Sequence, residues 1–191
     1  MTAIHRRIVV VCGYGCNLDS PLKPYLNRVA RLCELQKPEH VILCGGATQR
    51  RTFPGRTEAG VMGEYLSGKI DFRKTEWIPA WHTLADSYTT YENIRDAAKV
   101  INGMNGAINR PNIITIFCEA TRALKVAILA RHFLGFPPEH GDPDIRIETD
   151  SWERMHPLKE LVGTLKDAGA IYVPWLNTIQ RRQREAKSKV R

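Results

Sequence analysis

The sequence predicts an α/β three-layer sandwich, a mainly parallel sheet with helices on both faces. Short β-branched runs without helical period, such as Arg6–Cys12 and Asn112–Cys118, read as strands buried on both sides. Segments with apolar residues at helical spacing separate them, and strands alternating with helices pair in parallel through crossovers. Size and composition agree. The 191 residues make one ordinary domain, and at this length roughly two-thirds of the chain's surface is buried on folding. A composition of 43% apolar and 25% charged residues excludes a disordered or collagen-like chain.

The elements follow in order. Arg6–Cys12 is the first strand. Ser20-Pro21 reads as a helix cap followed by proline at the first helical position, and the helix runs to about Gln36 with Leu22, Leu26, Val29, Leu32 and Cys33 on one face. Pro38 marks its end. His40–Cys44 is the second strand, stopped by Gly45-Gly46. A polar loop, Ala47–Thr57, leads to a helix over about Glu58–Ser67. Thr75–Pro79 is a weak third strand. A helix from Thr89 to about Asn102 has Tyr91, Ile94, Ala98 and Ile101 at helical spacing. Asn112–Cys118 is the fourth strand and Ala120–Leu134 a helix. Asp144–Thr149 is a fifth strand, Pro157–Ala168 a helix and Ala170–Val173 a further short strand. From Pro174 a last helix turns polar and frays. One domain over residues 1–175 is therefore expected, followed by a basic helix or tail over 176–191.

The formal charge is +8, and residues 181–191 hold six cations against Glu185, so the body carries only +3. The tail could touch nucleic acid or an anionic surface, but without interleaved aromatics a solvated helix end is the simpler reading. No apolar run approaches the roughly 20 residues of a membrane helix, and the N-terminus shows no signal-peptide cleavage pattern. Five cysteines, an odd number without CxxC spacing, fit reduced thiols in a cytoplasmic protein.

In parallel sheets ligands bind at the carboxyl ends of the strands, so the strand ends carry the functional reading. After the first strand, Cys12-Gly13-Tyr14-Gly15-Cys16-Asn17 lets backbone approach a ligand and aim N–H groups at an anion. A plain tight turn is the alternative, and the third glycine of a dinucleotide fingerprint is missing. After the second come Cys44-Gly45-Gly46, a loop bearing Arg50, Arg51 and Arg56, and Thr57-Glu58-Ala59. The third site segment is Asp86–Asn93. Within it Thr89-Thr90-Tyr91-Glu92 forms a capping box, which accounts for Glu92 but not for Ser87 or Asn93. After the fourth strand, Glu119-Ala120-Thr121-Arg122 places a cation against a helix dipole, a cost of up to about 1 kcal/mol unless an anion or a carboxylate compensates. Cys12, Cys44 and Cys118 each close a strand. They suit buried small hydrophobes better than a soft-metal site, and no metal ligand set is assigned. The histidines do not cluster.

In this order the pieces resemble the YdcF/SanA/ElyC-like family, a domain of unknown function. The resemblance covers about residues 6–136 and rests on Ile8–Gly15, Arg28, Leu43-Cys44-Gly45-Gly46, Glu58-Ala59, Ser87–Asn93 and Ile113–Arg122. The Ser-x-x-Thr-x-Glu-Asn stretch is the most specific piece. Two departures stand out: Cys44 replaces a usual serine, and the last motif lacks the histidine that usually precedes its arginine. Members with an N-terminal anchor act in the bacterial envelope; this chain resembles the soluble branch. The resemblance implies a Rossmann-like fold and a nucleotide-like ligand, S-adenosylmethionine among them, without a settled reaction.

The expectation is thus a small anionic or nucleotide-like ligand at the carboxyl edge of the sheet. Gly13, Gly15, Gly45 and Gly46 shape the floor, Arg28, Arg56 and Arg122 supply charge, and Asn17, Ser87, Thr90, Asn93 and Glu119 complete the ligand-binding set. If there is turnover, Glu58 or Glu92 is the candidate general base, since no Ser/His/Asp or Cys/His set is legible. Three rivals remain open: transfer or hydrolysis on a phosphorylated or adenosyl compound, ligand sensing without turnover, and surface or nucleic-acid binding through the tail.

Overall fold

A computed structural model describes residues 5–18, 21–70, 77–105, 112–135, 143–150 and 157–190. Five strands, β1 (Arg6–Cys12), β2 (His40–Cys44), β3 (Ala80–Leu84), β4 (Asn112–Glu119) and β5 (Asp144–Asp150), form one sheet in the order β3-β2-β1-β4-β5. Every pairing is parallel. Among the described residues six α-helices accompany it: α1 (Leu22–Gln36), α2 (Glu58–Lys69), α3 (Thr90–Asn105), α4 (Ala123–Leu134), α5 (Pro157–Tyr172) and α6 (Trp175–Val190). The expected Rossmann-like α/β sandwich is what the chain forms.

The β-branched runs are strands because both faces are covered. Val9, Val11, Val41 and Leu43 point to one side, where they meet α1 and α2 through Leu26, Val29, Ala59 and Met62. Ile8, Val10, Ile42, Ile114 and Ile116 point to the other, against Ile94, Ile101, Val126 and Leu129 of α3 and α4. Successive side chains alternate between the two cores, as the pleat requires. Cys12 is in register with Cys44, so the thiols gather at the carboxyl edge as expected. The chain runs from β1 outward through β2 to β3, then returns to place β4 on the opposite side of β1. That reversal is where ligands bind in open α/β sheets.

Four boundaries differ from expectation. The third strand is Ala80–Leu84, not Thr75–Pro79: Pro79 has no N–H to give, and the ladder begins where Ala80 N–H donates to Glu39 O at 2.8 Å. Thr75 and Glu76 lie outside the described residues. Residues 170–172 are the last turn of α5 rather than a strand, because Ala170 completes a helical face with Thr164 and Asp167, all three buried. Ala120–Arg122 forms a 3-10 turn ahead of α4, so Arg122 caps that helix instead of lying within it. Pro21 directly precedes α1 rather than opening it, and Ser20 lies outside the described residues.

The last helix does not fray within the described residues: α6 is continuous to Val190, with Asn177 and Ser188 buried. No described helix is long and apolar enough to cross a membrane.

Candidate functional site

A cleft of about 440 Å³ opens at the carboxyl edge of the sheet. Gly13 after β1 and Thr48, Gln49 and Thr52 of the β2–α2 loop line one part, with Glu58 at the start of α2. Ser87–Thr90 and Asn93 line another, and Arg122 after β4 a third. Arg184 and Lys187 of α6 complete the wall.

The glycine turns exist to admit a carboxylate. A Cβ on Gly13 would overlap Glu58 Oε2 and lie 2.5 Å from the Cys44 carbonyl oxygen. One on Gly45 would stand 2.7 Å from both Cβ and Oε2 of Glu58, and Gly45 has φ +152°. The start of α2 is tied to the same turn: Glu58 N–H donates to Gly46 O at 3.1 Å and Ala59 N–H to Gly45 O at 3.0 Å. The β3–α3 segment is pinned there too, through Gly46 N–H to Ser87 O at 2.7 Å. Gly45 and Gly46 therefore form the floor beneath Glu58, and Gly15 lies beside the Gln49 side chain.

Glu58 is the carboxylate in the cleft. Burial pushes its carboxyl above the ordinary range, opposed by the Thr48 hydroxyl, which donates to Oε1, and by the charges of Arg122 and Arg184. Glu92, the other candidate base, is 1% exposed and does not line the cleft. Its Oε2 accepts from Tyr88 N–H at 2.7 Å, its Oε1 from Asn177 Nδ2 at 3.3 Å and Arg181 Nη1 at 3.1 Å, and its N–H donates to the Thr89 hydroxyl at 3.1 Å. These are the contacts of a helix cap that also holds α6.

Arg122 reaches the cleft over Glu119. Its Nε lies 3.5 Å from Glu119 Oε2, its Nη1 3.5 Å from Gly13 O, and its guanidinium 5.0 Å from the Tyr14 ring centroid. Glu119 is buried behind it and holds charge for Arg122 rather than facing the cleft. Arg28 pairs with Asp150 at 2.7 Å on α1, and Arg56 pairs with Glu64 at the surface; neither lines the cleft, nor does the exposed Asn17. The cleft thus gathers Gly13, Glu58, Ser87, Thr90, Asn93 and Arg122 from the expected set; Arg28, Arg56, Asn17, Glu92, Glu119, Gly15, Gly45 and Gly46 do not line it.

Two buried polar atoms in the lining have no hydrogen-bond partner among the described residues, Thr90 Oγ1 and Asn93 Oδ1, on side chains of residues 1% and 5% exposed. Unsatisfied groups of this kind cost about 1–3 kcal/mol each and are rare in native folds. The thiols, by contrast, are buried, and burial disfavours their thiolates. Cys44 is fully buried and burial drives it well above its ordinary value, while Cys12 is pushed up to about 12. Among the described residues no group of three or more His, Cys, Asp or Glu is placed to hold a metal ion.

Reading the sequence missed Thr48, Gln49 and Thr52, which sit in a loop without a motif, and Arg184 and Lys187. The last two lie roughly a hundred residues from the segment they approach, and only the fold brings them there. The chain matches no family model and, at a significant level, no curated protein.

Proposed function

We propose that the cleft binds a small anionic, nucleotide-like ligand through a phosphoryl group, and that the chain is a soluble-branch member of the YdcF/SanA/ElyC-like family. The observation that carries this is the unpartnered hydroxyl of Thr90, a donor for a phosphoryl oxygen, in a cleft that also holds Arg122, Arg184 and Lys187; Asn93 Oδ1, an acceptor, suits a ligand hydroxyl or base N–H. A hydroxyl at a helix start suits an anion, because the backbone N–H groups and the dipole there favour negative charge. The volume falls within the usual range for small-molecule sites, roughly 300–1,000 Å³. Five free, buried cysteines support a cytoplasmic setting.

The lining does not fit S-adenosylmethionine as well. Three cations against one carboxylate oppose a sulfonium centre, and no reaction step is assigned to it. Arg181 and Arg184, two of the six tail cations, are engaged by Glu92 and the Tyr88 carbonyl, which favours the cleft over the tail as the binding surface.

Turnover is a second reading, favoured by Glu58. A buried carboxyl with a raised pKa beside cations is the group that would take a proton from an attacking hydroxyl or water. Calorimetric titration with nucleoside monophosphates tests the binding reading. The parent binds at least one, and Arg122→Ala weakens it about tenfold or more through loss of a charged hydrogen bond. Equal affinity in parent and variant would overturn the reading. Product formation that disappears in Glu58→Gln would separate an enzyme from a sensor.

A further inference from the structure

Beyond Leu176, which packs against the core, the inward face of α6 is polar where a helix retained for stability alone would be apolar. Asn177, Arg181, Arg184 and Ser188 follow one another at helical spacing, and Asn177 and Ser188 are buried. Trp175 and Ile179, one turn apart, are instead 60% and 43% exposed. An amphipathic surface helix normally shows the reverse.

The polar face is spent on one short segment. Thr89 Oγ1 donates to Asn177 Oδ1 at 2.9 Å, Asn177 Nδ2 and Arg181 Nη1 donate to Glu92, and Arg184 Nη1 donates to Tyr88 O at 2.9 Å. The Arg181 guanidinium also lies 5.2 Å from the Tyr88 ring centroid. All these partners fall within Tyr88–Glu92, the segment that carries Thr90, with its unpartnered Oγ1, in the cleft wall. With the helix so held, Arg184 and Lys187, three residues apart, line the mouth of the cleft.

We propose that α6 is the selectivity element of the site: clasped by Glu92, it presents Arg184 and Lys187 to a second phosphoryl group, so the ligand class is diphosphates rather than monophosphates. This rests on the anion-binding reading above. Without α6 the cleft holds Arg122, already offset by Glu119, against Glu58. With it, Arg184 and Lys187 join Arg122, and cations reach the cleft from two separate elements, the turn after β4 and α6. Arg122 and Thr90 are placed for one phosphoryl group; Arg184, which also bonds the Tyr88 carbonyl, and Lys187 add positive charge for another. Glu92 and Arg181 are positioning residues, acting through α6.

Titration of the full chain with inorganic phosphate and inorganic pyrophosphate at one ionic strength tests this. The parent binds pyrophosphate about tenfold tighter or more, the size expected for an added charged hydrogen bond. Arg184→Ala with Lys187→Ala lowers pyrophosphate affinity more than phosphate affinity and so removes the preference. Arg181→Met lowers the preference in the same sense, which a merely structural contact would not do. Should the double variant fail to fold, Lys187→Ala alone, at an exposed position, lowers the preference. A parent that binds phosphate without preferring pyrophosphate, or variants that keep the preference, overturn the role of α6 and leave the anion site standing. A parent that binds neither overturns both.

Discussion

Glu58 shows most directly how the fold trades stability for a site. Burial raises its pKa from an ordinary 4.5, so the fold favours the protonated form. Such a group contributes its full share of stability below its unfolded pKa and loses it as pH rises through the folded one. Glu58→Gln removes that loss. Denaturant unfolding should therefore show the variant gaining on the parent as pH rises from about 4 to about 8; a parent that gains on the variant would mean the ionised carboxylate stabilises the fold. Gly13 answers the same carboxylate. Gly13→Ala forces a methyl against Glu58 and the Cys44 carbonyl, and overpacking of this kind costs about 1–3 kcal/mol. An unchanged melting temperature would show that the turn has room. The glycine turns themselves were legible in the sequence, because strand-ending glycines stand out. Their reason was not, since the group that fills the space, Glu58, lies 45 residues beyond Gly13.

Elements read well where their pattern is local and poorly where their partners are remote. The β-branched runs identify β1, β2 and β4, and the apolar spacing of α1 and α3 predicts their buried faces. The tail reads as solvated because its cations have no interleaved aromatics and only Glu185 as a local partner; Glu92 and Tyr88, which also bind them, are 89 and 96 residues away. Ending the chain after Gln180 should leave buried Glu92 without its cation, a cost of about 1–3 kcal/mol, or roughly 2–4 °C in melting temperature per kcal/mol. Melting at the parent temperature would mean that α6 is ornamental beyond that point. A second element-scale contact joins α4 to α5, where Lys125 Nζ lies 3.3 Å from Asp167 Oδ2 with both side chains buried. Lys125→Met should cost about 3–5 kcal/mol by stranding the aspartate, and adding Asp167→Leu should restore much of it. Additive losses in the double variant would argue that the pair is not a coupled unit.

At the scale of the whole molecule, the alternation of strands and helices is enough to predict a parallel sheet and to direct attention to its carboxyl edge. The strand order decides where on that edge the site falls, because the reversal between β2 and β4 around β1 leaves space between the loops. Residues 87–90, Asn93 and Arg122, read as separate motifs, meet there; Arg28, taken from the family pattern, and Arg56, taken for its charge, do not, since they pair with Asp150 and Glu64. The claim that this edge binds a phosphoryl group is tested most directly by crystals soaked with tungstate, a tetrahedral oxyanion located by its anomalous scattering. A peak is predicted in the cleft, within about 3.2 Å of Thr90 Oγ1 and of a guanidinium nitrogen of Arg122 or Arg184. Tungstate found only on the outer face of α6 or elsewhere on the surface, with the cleft free of it, would contradict that claim.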